Sequence, residues 1–174
     1  MGKDCKVNFS IREADTNDCA LIRDIASKIW APTYGSILSD EQLDYMFEMM
    51  YSVDNILKQM TEEGHRYLLA FADGEPAGYL SIEKKSPNVF IYQKIYALPE
   101  LQGKGFGRYL FEQGIDYIRK IHPSAFTIEL YVNRENPAVG FYRHIGMTQY
   151  GSRDHYIGHG FYMNDYIMTM DIIP

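Results

Sequence analysis

Apolar residues recur along this chain in two registers, every second position and every third or fourth, and the points where the register changes mark its elements. Val7, Phe9 and Ile11 alternate with polar residues and predict a first strand. Asp15 or Thr16 can cap a helix whose Leu21, Ile22, Ile25 and Ile29 share a face, with the break expected at Ala31-Pro32-Thr33, because proline lacks the amide that a helix interior uses. Ser39 with Gln42 three residues on forms a capping-box pattern for a second helix carrying Leu43, Met46, Phe47 and Met50. A further helical piece is predicted from Val53 to Glu63, stopped by Gly64. Tyr67 to Ala72 and Ala77 to Ile82 are apolar runs flanking Asp73-Gly74, a hairpin signal, with Pro76 at the mouth of the return strand, and Val89 to Leu98 predicts the next strand. Tyr109, Leu110, Ile115, Ile118 and Ile121 mark a long helix closed by Pro123 after His122. Thr127 to Val132 alternates again, Pro137 opens a short helix through Phe141 and Tyr142, and Gly146 ends it. Met147 to Tyr150 and Phe161 to Ile172 predict two last strands, joined by a polar loop from Arg153 to Gly160. Without repeats or low-complexity tracts to divide it, the chain is expected to form a single domain over residues 1–174.

Composition narrows the function classes. A length of 174 residues suffices for one core that buries roughly two-thirds of the unfolded surface. With 46% hydrophobic and 23% charged residues the chain is of globular type, and its apolar runs fall short of the ~20 residues of a membrane span. The start Met1-Gly-Lys-Asp-Cys-Lys6 lacks the apolar core of a signal peptide, and Lys6 stands where a myristoylation motif needs Ser or Thr, so a cytoplasmic location is expected. Cys5 and Cys19 show neither a C-x-x-C pattern nor a histidine at zinc spacing, which points to plain thiols and no metal. A net charge of −6 argues against nucleic acid and suits a cationic small molecule. Fifteen tyrosines and nine methionines are suited to a pocket wall or to a subunit contact such as a homodimer.

The segment with the most chemistry in it runs from the predicted strand at Ile95 through Gln102-Gly-Lys-Gly105-Phe-Gly107-Arg108 into the long helix. Alternating glycines admit positive φ and close approach, and the unpaired amides of a helix's first turn, at the positive end of its dipole, point at any bound anion. The spacing is G-x-G-x-G, unlike the dinucleotide fingerprint, and no Gly-Lys-Ser/Thr follows as a P-loop requires. Gln102-x-x-Gly105-x-Gly107 resembles instead the Q/R-x-x-G-x-G/A pyrophosphate loop of the GNAT family of N-acetyltransferases.

The resemblance extends over essentially the whole chain. Tyr67 to Tyr79, with Asp73-Gly74 and Gly78, is similar to the family's hairpin, and Asn136-Pro-Ala138-Val-Gly-Phe-Tyr142-Arg-His-Ile-Gly146 to its late helix segment. It implies an α/β (α+β) GNAT fold: a central mixed, mostly antiparallel, splayed sheet of about seven strands with about four helices. It further implies acetyl-CoA as cofactor. Backbone groups of Ile95, Tyr96 and Ala97 would pair with the pantetheine arm, and amides of Gly103, Lys104, Gly105, Phe106, Gly107 and Arg108, led by Gln102, would wrap the pyrophosphate. Asn136 resembles the family asparagine on the CoA arm, although it lies six residues before Tyr142 where the commoner spacing is seven. Tyr142 resembles the general acid that protonates the leaving sulfur, and an amide near Ala97, aimed by a strand bulge, would hold the oxyanion.

The base departs from the pattern. Where many relatives carry a glutamate, the corresponding positions here look like Gln93 and Tyr131, so a water relay is expected, with Glu129, Glu83, His155 and Tyr156 as alternatives. For the acceptor, Trp30 and Tyr34 near the helix break, together with Glu83, Tyr131 and Tyr156, are candidate substrate contacts, and Asp40, Glu41, Asp44 and Glu48 add negative charge nearby. The C-terminal part of the chain looks like the family's bacterial spermine/spermidine acetyltransferases, implying a polyamine-like primary amine. A protein Nα-acetyltransferase of the ribosomal-protein type and a non-catalytic acetyl-CoA-binding module are the alternatives.

Overall fold

The computed structural model describes residues 6–174; Cys5 and the chain start lie outside them. One seven-stranded sheet organises the molecule, in the order β1-β2-β3-β4-β5-β7-β6. Its strands are β1 (Phe9–Glu13), β2 (Arg66–Ala72), β3 (Glu75–Ser86), β4 (Val89–Ala97), β5 (Phe126–Asn133), β6 (Thr148–Gly158) and β7 (Phe161–Ile172). The helices are α1 (Cys19–Tyr34), α2 (Asp40–Tyr51), α3 (Val53–Thr61), α4 (Phe106–Ile121) and α5 (Ala138–His144), the five that periodicity predicts where the resemblance implies about four. Helices α4 and α5 cover one face of the sheet over a core that includes Leu80, Tyr92, Leu110, Leu130 and Met168. Helices α1 to α3 cover the other, over Ile25, Trp30, Tyr51, Tyr67 and Tyr79.

Neighbouring strands run antiparallel except β4 and β5, whose parallel ladder is confined to Val89–Tyr92 against Thr127–Leu130. From Gln93 and Tyr131 onward the two strands part, and the backbone edges that a longer ladder would consume face an opening. A second irregularity lies at the same point. Tyr92 pairs with Ile82 but Lys94 pairs with Ser81, which leaves Gln93 as an extra, bulged residue in β4. The bulge expected near Ala97 is therefore four residues earlier, and Ala97 itself pairs regularly with Gly78. Because side chains alternate along a strand, one inserted residue reverses the faces beyond it. Tyr92 packs into the core under α4, whereas Lys94 and Tyr96 turn toward α1 to α3.

Two other expectations are corrected. Helix α1 continues through Pro32 to Tyr34. The proline costs one backbone hydrogen bond, roughly 3 kcal/mol, but the extra turn seats Tyr34 against Trp30 at a ring separation of 4.6 Å and leaves both buried. The segment Arg153 to Gly158 is strand instead of loop, pairing from Arg153↔Asp165 to Gly158↔Phe161. Its reversal needs only His159 and Gly160, both in the left-handed region at φ 52° and 78°.

Candidate active site

The glycine loop is built as an anion cradle. Gly105 sits at φ 80° as the N-terminal cap of α4 and supplies no side chain to satisfy its first turn. The amides of Gly103, Gly105, Phe106, Gly107 and Arg108 find no partner among the described residues, while that of Lys104 turns inward to the Leu101 carbonyl at 3.3 Å. What fixes the loop is Phe106, whose ring is fully buried against Phe9 at 5.0 Å. The Phe106 and Lys104 side chains thus lie away from the cleft, and Gly107 has an ordinary helical φ, with a Cβ there meeting the Phe141 ring at 3.4 Å.

Above the cradle a cavity of about 740 Å³ follows the parting of β4 and β5, lined by Gln102, Gly103, Gly105, Arg108, Ile95 to Ala97, Asn136 and Tyr142 among others. The Asn136 side chain is buried and accepts the Ala138 amide at 2.9 Å, which opens α5. Tyr142, 6% exposed, stands on α5 with its ring in the core. Burial, reinforced by the neighbouring Tyr34, pushes its phenol well above the ordinary tyrosine range, so it keeps its proton at neutral pH. The Tyr34 hydroxyl meets that of Tyr96 at 2.8 Å.

A second cavity, of about 550 Å³, opens between α1, α2 and the sheet. Tyr34, Gln93, Tyr96 and Tyr131 line both cavities, so the two meet where β4 and β5 separate. The candidates Trp30, Tyr34, Glu83 and Tyr131 are brought together here, and the indole N–H of Trp30 is buried without a partner. Tyr156 is not among them: it is 56% exposed on β6, with its ring against Tyr162 at 5.2 Å. His155 lines this cavity, but Glu129 does not; it is held by Lys85 at 2.8 Å and by the Tyr131 hydroxyl at 2.7 Å. Asp40, Glu41, Asp44 and Glu48 lie outside as well, Glu48 pairing with Arg23 at 2.6 Å.

Four further charged or titratable residues line this second cavity that pattern reading passed over. Lys94 is buried, with its ammonium nitrogen 2.6 Å from the Gln59 carboxamide oxygen and 2.5 Å from the Tyr67 hydroxyl, and burial draws its pKa down to about 7. His65 is likewise drawn down, to about 4, by burial and by Lys94. Asp165 is 3% exposed and takes the Arg153 Nε at 3.2 Å; burial raises its pKa against the opposing guanidinium. Arg153 also lies 3.6 Å over the Tyr131 ring. A signal did exist for Lys94, the one charge in the run Val89–Ala97, apolar but for Gln93 beside it, since such a residue is retained inside only when partnered. Among the described residues no group of three or more His, Cys, Asp and Glu is arranged to hold a metal ion, and no helix is long and apolar enough to cross a membrane.

An uncapped helix start under a glycine loop, placed beside a splayed parallel strand pair, agrees with a family model described as the acetyltransferase (GNAT) family, which matches residues 22–147. The chain belongs to that family. It is an acetyl-CoA-dependent acyltransferase. A spermidine N(1)-acetyltransferase of Thermoplasma acidophilum is 26% identical over 139 residues, covering 78% of this chain and 84% of that protein. Among solved structures, the PaiA N-acetyltransferase of Thermoplasma acidophilum in complex with coenzyme A superposes with a TM-score of 0.72 at 22% identity, covering 95% of this chain and 99% of that one. The ribosomal-protein-S18-alanine N-acetyltransferase of Escherichia coli gives a TM-score of 0.69 at 19% identity, with 96% of each chain covered. The donor set fits the family's cofactor: five unpartnered amides at a helix N-terminus suit a pyrophosphate, and an unpaired strand edge suits an amide-bearing arm.

Proposed function

We propose that this GNAT enzyme moves an acetyl group from acetyl-CoA to the primary amine of a small, cationic, polyamine-like acceptor in the cytoplasm, by direct attack with both substrates bound. The observation that carries this reading is the junction of the two cavities at Gln93 and Tyr131, beside a protonated Tyr142. Bound acetyl-CoA supplies an activated acyl carbon and a thiolate leaving group. The amides of Gly103, Gly105, Phe106, Gly107 and Arg108 hold the pyrophosphate, with Gln102 and Asn136 beside the arm and the free edge of Ile95 to Ala97 paired to it. Tyr142 delivers its proton to the departing sulfur.

For the acceptor, the aromatic residues Trp30, Tyr34, Tyr96 and Tyr131 and the carboxylate of Glu83 line the second cavity, and an alkylammonium is attracted to both kinds of group. Likeness to a spermidine N(1)-acetyltransferase and the net charge of −6 support the same reading. The Nα-acetyltransferase alternative draws support from the likeness to the S18-alanine enzyme, at the level of fold alone. A thiol-release assay with acetyl-CoA against polyamines, amino acids, aminoglycosides and N-terminal peptides tests the proposal. Turnover should be greatest with polyamines; greatest turnover on peptides would replace the acceptor, and no release with any amine would refute the function.

A further inference from the structure

An alkylammonium reaching the junction must lose a proton before its nitrogen can attack, and neither Gln93 nor Tyr131 can take it. Two carboxylates line the acceptor cavity among the described residues, Glu83 and Asp165. Asp165 is committed to the Arg153 guanidinium at 3.2 Å. Glu83 is not committed to any lysine or arginine. Its carboxylate accepts the Gln93 side-chain amide at 2.7 Å and stands 3.5 Å from Nε2 of His65.

That geometry follows from the bulge. Gln93 is the unpaired residue of β4, and its neighbour Lys94 shares the cavity face with it, so the Gln93 carboxamide projects over the point where the strands part. On β3, Glu83 lies in register with Ile91, the second pair beyond the bulge, and its side chain meets that of Gln93. Gln93 thus tethers a carboxylate that stands on the adjacent strand.

We infer that Glu83 accepts the proton of the acceptor ammonium, with Gln93 positioning its carboxylate at the junction of the two cavities. This rests on the acetyltransferase reading above. The ammonium proton moves to Glu83, and the freed electron pair forms the N–C bond to the acyl carbon. The C–S bonding pair leaves with sulfur, which takes the Tyr142 proton; the second nitrogen proton returns to the phenolate, and Glu83, part-exposed, releases its own to solvent. An alkylammonium, a thioester and the enzyme thereby give an amide, a thiol and one proton to solvent. His65, kept neutral by its burial, places no positive charge beside Glu83, and its Nδ1 lies 3.1 Å from the Ser81 hydroxyl. The other charged groups around Glu83 are Glu63, 3.9 Å from His65 Nε2, Lys94 on β4, and the Lys85–Glu129 pair next along the sheet.

The test compares wild type with Glu83→Gln and Gln93→Leu in steady-state thiol release against pH, using spermidine as probe and a second acceptor whose amine has a lower pKa. Glu83→Gln should lower kcat about 10²- to 10³-fold at pH 7, with the deficit shrinking as pH rises or as the acceptor amine becomes less basic. Gln93→Leu should lower kcat less and leave the dependence on acceptor basicity in place. Acetyl-CoA affinity measured by calorimetry should be unchanged in both, which also reports that they fold. A rise in KM at constant kcat, or a deficit independent of pH and of acceptor basicity, would overturn the assignment and make Glu83 a binding group only. Absence of thiol release by wild type would instead refute the acetyltransferase reading itself.

Discussion

Replacing Tyr142 by phenylalanine isolates one oxygen atom. The residue, 6% exposed on α5, lines the cavity where the strands part, and its hydroxyl has no hydrogen-bond partner among the described residues to lose. Folding stability should therefore change by less than about 1 kcal/mol, since the packing is kept and no buried donor or acceptor is orphaned. Catalysis should change by far more. Burial holds the phenol above its ordinary pKa, so the wild-type proton is present across the whole assay range and available to the sulfur. A positioned acid contributes roughly 10²- to 10⁴-fold, equivalent to about 2.7–5.5 kcal/mol of barrier. Thiol release under saturating acetyl-CoA and acceptor should fall by that factor, while the calorimetric Kd for acetyl-CoA stays within about threefold, a difference of under 1 kcal/mol. A parallel loss of affinity and turnover, or turnover reduced by less than about threefold, would refute Tyr142 as the proton donor.

Gly105→Val forces a β-branched residue into φ 80°, at a cost of at least about 1–2 kcal/mol, and should weaken acetyl-CoA binding in calorimetry about tenfold or more; unchanged affinity would remove the loop from the cofactor site. Gly114→Ala places a methyl against the Tyr92 hydroxyl and 2.5 Å from Leu80 Cδ2, so chemical denaturation should show a loss of about 1–3 kcal/mol as α4 lifts from the sheet. Burial holds Lys94 at about 7 against an ordinary 10.5, so between those values the folded chain binds fewer protons than the unfolded one. Stability should accordingly rise with pH through that window, by at most about 1.4 kcal/mol per pH unit, with the full burial penalty present below pH 7. Lys94→Met should abolish that slope in urea titrations between pH 7 and pH 9; an unaltered slope would mean that the amine stays charged in the folded protein.

The glycine loop and helix start that we propose for the cofactor were legible in the order of residues because they are made by local devices. Glycines at 103, 105 and 107 followed by an apolar helical repeat specify a turn and a helix start whose free amides exist whatever packs elsewhere. The hairpin around Asp73-Gly74 and the closure of α4 before Pro123 are equally short-range. Where local rules misled, a distant partner outweighed them. Pro32 is tolerated in α1 because Trp30 and Tyr34 bury together, and the polar stretch from Arg153 pairs as a strand because β7 is long enough to receive it.

The acceptor side depends on contacts between residues far apart in the chain. Glu83 is tethered by Gln93, His65 stands over Glu83, Asp165 takes Arg153, and Lys94 is solvated by Gln59 and Tyr67. None of these pairings has a fixed spacing that a periodicity could reveal. By itself the order of residues determined most of the elements, the glycine loop and the place of Tyr142 on α5. The tertiary structure decided the step that turns them into a reaction centre: one unpaired residue in β4 reverses which side chains face α1 to α3. Strand alternation has a period of two, so a single inserted position is invisible in composition yet exchanges the two faces of every residue beyond it.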